Sequence, residues 1–331
     1  MPVDVRAYRA GDEAAILELF ARSFPHAPRR LDHFEWKYRR SPFGNERISL
    51  AFADEARLVG HYSGYPVPFR FVDPRTRRRT DVLAHQVGDT MTDVAVRHIG
   101  RGPSSILGRT ALHFYERFCE KQVAFNFGFN VANIQKFSLR FLRSDRVEPV
   151  TYRVAVPLPR IARAERWLRG YSFEQVRETN GEWDELFERV APAYQFCVTR
   201  NAAYVRWRYL QCPDVPYVVV AVRKWRRLVG WIVFRVRENR FTWGDALFDP
   251  DFPDAVEVVL RHVVPSHPVD VVEGWFPSRP RWFDEILTSL GFAVRPEPQD
   301  LSVMCVPFAW PDAVARMRES LYYTWGDGDL F

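Results

Sequence analysis

Apolar residues recur along this chain at two spacings, and the switches between them outline its elements. Residues 3–6 alternate and predict a short strand. After Gly11-Asp12, the residues Ile16, Leu19 and Phe20 share one helical face. Residues 48–53 and 57–65 read as a hairpin turned at Asp54-Glu55, with 69–72 and 82–96 also extended. Past Gly102-Pro103 the spacing turns helical, placing Leu107, Ala111, Phe114 and Phe118 on one face. Residues 123–129 predict a strand, and 130–142 a helix striped by Ile134, Phe137 and Phe141. The second half gives strands at 217–222, 228–236 and 241–248, a helix at 254–264, a strand at 269–275 and a helix at 281–290. Strands interleaved with helices in this order predict an α/β fold on mixed sheets, each flanked by helices.

The two halves also share residues. Phe34-Glu35-Trp36-Lys37-Tyr38, Pro42 and Arg57-Leu58-Val59-Gly60 match Val205-Arg206-Trp207-Arg208-Tyr209, Pro213 and Arg227-Leu228-Val229-Gly230. Trp to Pro is six residues in both, and Trp to Gly is 24 in one and 23 in the other. Upstream, Val5-Arg6 and Leu19-Phe20 are echoed by Val176-Arg177 and Leu186-Phe187. A period of roughly 170 residues is too long for a solenoid repeat and fits a duplicated domain. The expected domains are 1–160 and 161–331, with a linker near Pro157-Leu158-Pro159.

Composition narrows the class. The chain has 331 residues, 47% of them apolar and 27% charged, an ordinary globular balance with enough length for two cores. It has no apolar run of the roughly 20 residues that span a bilayer, and its start lacks a signal-peptide pattern. Cys119, Cys197, Cys212 and Cys305 show no metal-binding or disulfide spacing, so no metal is expected and the thiols read as reduced, cytoplasmic cysteines. The net charge of +6 suits a phosphate-bearing partner but is too small to name nucleic acid. Its densest cluster, Arg75 with Arg77, Arg78 and Arg79, follows the Asp73-Pro74 turn signal and reads as a solvated hairpin tip. Trp36 and Trp207 read as core or domain-packing residues.

The stretch from Thr92 to Pro103 carries the chemistry. A strand ends, a loop with Gly100 and Gly102 follows, and an amphipathic helix begins. The glycines permit positive φ and close approach to a ligand. The first helical turn offers unpaired amides and a partial positive charge, which suits a pyrophosphate, and Arg97 and Arg101 can add charge-assisted hydrogen bonds. The spacing is neither the dinucleotide G-x-G-x-x-G nor a P-loop.

This loop resembles the [Gln/Arg]-x-x-Gly-x-[Gly/Ala] signature of the GCN5-related N-acetyltransferase (GNAT) superfamily. The opening from Val5-Arg6 to Gly11-Asp12 is similar to that family's first strand and helix. Phe127-Gly128-Phe129-Asn130 is similar to the end of its fifth strand. The resemblance implies two tandem GNAT-like domains, with acetyl-CoA or another acyl-CoA as donor and a small-molecule or peptide amine as acceptor. It places the donor on Val94, Val96, Arg97, His98, Ile99, Gly100, Arg101 and Gly102, with Asn130 and Asn133 near the pantetheine arm. The Val94 amide would polarise the thioester carbonyl, and Asp89 or His85 would act as the base. Phe137 stands where the family often has its Tyr acid, leaving Tyr115, Tyr62 or the terminal carboxylate after Phe331 as substitutes.

The second half lacks Gly-x-Gly. It carries Asp245, Asp249 and Asp251 in that region, so it reads as a degenerate copy that shapes the acceptor site. Two alternatives share the fold: an aminoacyl-tRNA- or acyl-carrier-dependent ligase, and a non-catalytic acyl-CoA-binding sensor.

Overall fold

A computed structural model describes residues 3–331 except 28, 55, 56, 161, 163, 164, 166–168 and 330, so the expected turn at Asp54-Glu55 lies partly outside the described residues. The chain forms two compact units. The first comprises Met1–Pro68, Val82–Pro149 and Gln299–Arg318; the second comprises Phe69–Asp81, Val150–Pro298 and Glu319–Phe331.

The first sheet is built from β1 (Val3–Ala7), β2 (Arg47–Ala53), β3 (Arg57–Val72), β4 (Arg79–Thr92), β5 (Phe125–Asn130), β6 (Asp145–Pro149) and β15 (Ser302–Pro307). Their order is β1-β2-β3-β4-β5-β15-β6. The second contains β7 (Tyr152–Ala155), β8 (Tyr171–Gln175), β10 (Val218–Lys224), β11 (Arg227–Arg237), β12 (Arg240–Phe248), β13 (Val271–Trp275) and β14 (Ala293–Arg295). It is ordered β14-β7-β13-β12-β11-β10-β8. The remaining strand, β9 (Phe196–Val198), pairs with the far end of β3 at Phe69–Phe71. β4 runs parallel to β5 in the first sheet, as β12 does to β13 in the second, while β1–β2 and β10–β11 are antiparallel.

Each sheet contains a strand numbered with the other half. β15 hydrogen-bonds to both β5 and β6, and β7 to both β13 and β14. The units therefore differ from the contiguous split at 160/161. A strand belongs where its backbone finds partners, and each inserted strand satisfies two edges that would otherwise stand open.

The first unit's helices are α1 (Glu13–Ser23), α2 (Leu31–Phe34), α3 (Ile106–Phe114) and α4 (Ala132–Phe141). Those used below from the second are α5 (Gly181–Tyr194), α6 (Ala202–Val205) and α7 (Asp254–Val263). α1 buries Ile16, Leu19 and Phe20, the face its periodicity predicts. β3 runs unbroken where two extended segments were expected, and β4 ends at Thr92 because Val94–Val96 forms a 3₁₀ turn. The shared motif folds alike in both units. Trp36 and Trp207 are buried in π-helical turns, Glu35–Arg39 and Arg206–Leu210, that continue α2 and α6. The Asp93 amide donates to the Val59 carbonyl at 2.9 Å, and that of Asp249 to Val229 at 2.8 Å. Arg22 donates to the Leu58 carbonyl at 3.2 Å, and Arg189 to Leu228 at 2.8 Å. Among the described residues, no helix is long and apolar enough to cross a membrane.

Candidate active site

The site of the first unit begins where β4 and β5 part. Their parallel pairing covers only His85 with Asn126 and Gln86 with Phe127. Three residues beyond His85's neighbour Gln86, Asp89 takes φ +49, a left-handed conformation that is unfavourable for a non-glycine residue and is kept where the surroundings impose it.

Those surroundings are a polar cluster. Asp89 Oδ2 accepts from Lys37 Nζ at 2.8 Å and from the Tyr38 hydroxyl at 2.8 Å. The Tyr38 hydroxyl also lies 2.7 Å from Ser63 Oγ, which donates to the Gly88 carbonyl at 2.9 Å. His61 Nδ1 donates to the Asp89 carbonyl at 2.7 Å. Burial pushes the Asp89 carboxyl up, but the Lys37 ammonium, helped by His33 and His61, outweighs it and holds the group well below the usual carboxylate range. Asp89 is thus an ion-paired anion. Burial lowers His61 to about 4, so its imidazole is neutral at pH 7. Beside this cluster lies a small cavity with room for about one water, walled by Ile16, Leu17 and Phe20 of α1, Phe34 of α2 and Met91 of β4, with Tyr38, His61 and Asp89 in its polar lining.

His85, the other expected base, is fully enclosed. Its Nδ1 lies 3.2 Å from Asn126 Oδ1 and 3.5 Å from Cys119 Sγ, its ring meets Phe114 edge-on, and burial lowers it to about 3. In this packing it is a core residue with no approach for an amine. Tyr62 and Tyr115 come together, hydroxyl to hydroxyl at 3.2 Å, in a buried cluster that Phe137 joins, and burial raises both phenols. Phe331 is held in the second unit, where the Tyr217 hydroxyl donates to its carbonyl and the two rings lie 4.7 Å apart.

The loop after β4 is anchored from within. Asp93 caps the 3₁₀ turn by accepting from the Ala95 amide at 3.0 Å. Val96 and Ile99 pack with Ile106, while Val94, Arg97, His98 and Arg101 face solvent. Arg97 Nε donates to the Thr92 carbonyl at 3.0 Å. Gly100 and Gly102 both adopt the left-handed conformations expected of them, at φ +73 and +54. A Cβ on Gly100 would meet the Ser104 carbonyl oxygen at 2.3 Å. α3 starts later than expected: a 3₁₀ turn at Gly102–Ser104 intervenes, and Ser105 caps the helix through the Gly108 amide at 3.1 Å. Among the described residues the Gly100 and Gly102 amides have no acceptor, and residues 94–115 contain no carboxylate. An anionic diphosphate suits such a loop. Asn130 Nδ2 donates to Ser138 Oγ at 3.3 Å, and Asn133 is exposed in the first turn of α4.

Lys37, Tyr38 and His61 escaped the sequence reading. Lys37-Tyr38 sits inside the repeated motif, and His61 is a polar break in the apolar run from Leu58 to Tyr62, so each carried a signal.

No family model matches the sequence, and no curated protein matches it. Solved structures do. A probable N-acyltransferase from Enterococcus faecalis V583 superposes with a TM-score of 0.69 at 11% identity, over 97% of this chain and 75% of that one. A GCN5-related N-acetyltransferase from Anabaena variabilis gives 0.67 at 12% identity, over 92% and 72%. Eis1 from Mycobacterium abscessus gives 0.57 at 16% identity, over 91% and 73%. The chain thus has the mixed α/β fold of the GCN5-related N-acetyltransferases across nearly its whole length.

Proposed function

We propose that the protein is an N-acyltransferase that uses acetyl-CoA or a related acyl-CoA and acylates a small-molecule or peptide amine in a ternary complex. One observation carries the reading: a loop with two left-handed glycines and two unsatisfied amides follows a strand that kinks and parts from its neighbour. The amides near Gly100 and Gly102, with Arg97 and Arg101, bind the diphosphate. Val94 and His98 line the approach, Val96 and Ile99 hold the loop in place, and Asn130 and Asn133 flank the pantetheine arm. Asp89 acts through its pair with Lys37 and through the backbone kink, which sets the strand end that faces the thioester. Proteins of this fold named as acetyltransferases support the reaction class.

Calorimetry with acetyl-CoA tests the donor. At 100 times Kd the donor also stabilises the fold by about 2.7 kcal/mol. Gly100→Asp, which adds a carboxylate and a backbone clash, abolishes both signals. An unchanged Kd in that variant places the donor elsewhere. Release of free CoA on addition of an amine separates an enzyme from an acyl-CoA sensor.

A further inference from the structure

The hairpin between β10 and β11 turns on residues that disfavour the turn. Lys224 pairs with Arg227, so Trp225 and Arg226 alone make the connection. Both are left-handed, at φ +46 and +76. Two-residue turns of this hand favour Asn-Gly or Asp-Gly, and a bulky side chain is strained there. Burial does not offset the strain, since Trp225 is 71% exposed. The matching stretch of the first half, ahead of the shared Arg-Leu-Val-Gly, reads Asp54-Glu55-Ala56. An aromatic and basic tip thus stands where the counterpart sequence is acidic. A strained aromatic residue kept in water points to a role outside the fold.

The indole is held in place. It lies on Gly170, where a Cβ would come within 2.5 Å of its Cε2 and Cζ2 atoms. The Trp225 amide donates to the Gly170 carbonyl at 3.0 Å. Lys224 donates to the Arg169 carbonyl, and its ammonium sits 4.2 Å from the centre of the Tyr171 ring. With the ring on backbone and most of its surface in water, the tip is a fixed, flat platform.

Its surroundings are short of anions. Among the described residues, Lys224 and Arg226 have no carboxylate in ion-pair reach. The carboxylate of Asp249 is 4.0 Å from Arg227 and already paired with Arg189 at 2.7 Å. Glu174 and Glu182 are taken by Arg223, and Glu165 by Arg169. A flat ring among uncompensated cations suits a planar ring that carries phosphates. Every base offers a π-face for stacking, whatever its identity. A bilayer takes up aromatic side chains that project into its headgroups, and this one is laid against the chain. The modest net charge of the whole chain does not name nucleic acid; the local excess at an aromatic tip does.

We propose that this tip binds single-stranded nucleic acid, with one base stacked on Trp225 and the adjoining phosphates on Lys224, Arg226 and Arg227. The surface belongs to the second unit and does not depend on the acyl-transfer reading.

The test uses the full chain and a labelled oligothymidylate of about 15 nucleotides, followed by fluorescence anisotropy. Binding weakens steeply as salt rises, and the same strand in a duplex binds about tenfold more weakly or worse, because its bases are already stacked. Trp225→Asn, which suits the left-handed turn, keeps or raises Tm yet lowers affinity about tenfold or more. Trp225→Tyr recovers part of the loss. Arg226→Glu also weakens binding and flattens its salt dependence, whereas Arg77→Glu, with the same change in charge on another turn, leaves affinity within about twofold. Acetyl-CoA does not compete. Absence of binding at low salt, wild-type affinity in Trp225→Asn, or displacement of the oligonucleotide by acetyl-CoA overturns the proposal. Binding to phosphatidylglycerol vesicles with none to the oligonucleotide also overturns it and assigns the tip to a membrane.

Discussion

Tyr38 donates to Asp89 in the first unit as Tyr209 donates to Asp245 in the second, at 2.8 and 2.5 Å, and from there the two surroundings diverge. Asp245 is fully buried and also accepts from Arg200, Thr324 and its neighbour's amide at Ala246. The final segment covers it: Thr324 and Gly326 lie against the carboxylate, and Phe331 packs so closely on Gly244 that a Cβ there would come within 1.7 Å of the ring. Strand register shows what stands in for His61. His61 lies opposite Leu50 with Gly60 opposite Ala51, and Trp231 lies opposite Ala221 with Gly230 opposite Val222. Trp231 packs on Trp183 at 5.7 Å, and Trp183 precedes its Leu-Phe pair by three residues as Ile16 does. The second unit thus places two indoles where the first has Ile16 and His61. The connecting loops differ in the same sense. Residues 93–105 carry two left-handed glycines and no carboxylate after Asp93, whereas 249–253 are shorter and acidic, with Asp249 tied to Arg189 at 2.7 Å. One framework thus either consumes its polar groups internally or leaves them facing a void.

The largest effect comes from cutting the chain where the repeat suggests. A fragment of residues 1–160 lacks β15, so β5 and β6 lose the strand between them and two edges stand open. It should show no cooperative thermal transition by circular dichroism. A fragment that melts cooperatively would restore the contiguous division. Next, making the first unit resemble the second with Ile16→Trp and His61→Trp forces two indoles into a void with room for about one water and strips the Asp89 carbonyl of its donor. Overpacking and the lost hydrogen bond should together cost about 3–6 kcal/mol by denaturant unfolding. A variant as stable as the parent would show that the two units pack these positions interchangeably.

The legible part of this molecule is the part fixed by local chemistry. Alternation marks the buried face of a strand but not its neighbours, so β1–β5 and β10–β13 were readable, while β6–β9, β14 and β15 were not named and the exchange of β7 and β15 was invisible. Positive φ favours glycine, so Gly100 and Gly102 announced the loop. Asp89 was singled out only by the family resemblance, and its state is set by Lys37, 52 residues away in sequence. His61 gains its meaning only from the Asp89 carbonyl, 28 residues away. His85 looked equivalent to Asp89 because both are polar residues on one strand; what separates them is which neighbours close over each.

The ion pair at Asp89 makes the third test. Lys37→Met leaves a buried carboxylate without its cation and should cost about 3–5 kcal/mol by denaturant unfolding. Adding Asp89→Asn should recover part of the loss. The sign with pH follows from the depressed pKa. The pair's contribution is complete above the unfolded carboxylate range, near pH 4, and disappears as pH falls toward the folded value. Asp89→Asn should flatten that acid limb, and an unaltered limb would show that other carboxylates dominate it.

The smallest test sets one arginine against another. Arg101 and Arg77 are both exposed, one on the loop after β4 and the other on the turn where Asp73 accepts the Arg75 and Thr76 amides. Net charge is the same for Arg101→Glu and Arg77→Glu, so any general attraction of a cationic protein for an anionic donor weakens equally in both. A local contact to the diphosphate weakens only in the first. Charge-assisted hydrogen bonds at an exposed site are worth about 1–2 kcal/mol, so acetyl-CoA affinity should fall about tenfold in Arg101→Glu and hardly at all in Arg77→Glu. The gap should narrow as salt rises, because screening removes the long-range share first. Equal losses in both variants would assign the donor's attraction to overall charge and leave the loop without a specific role.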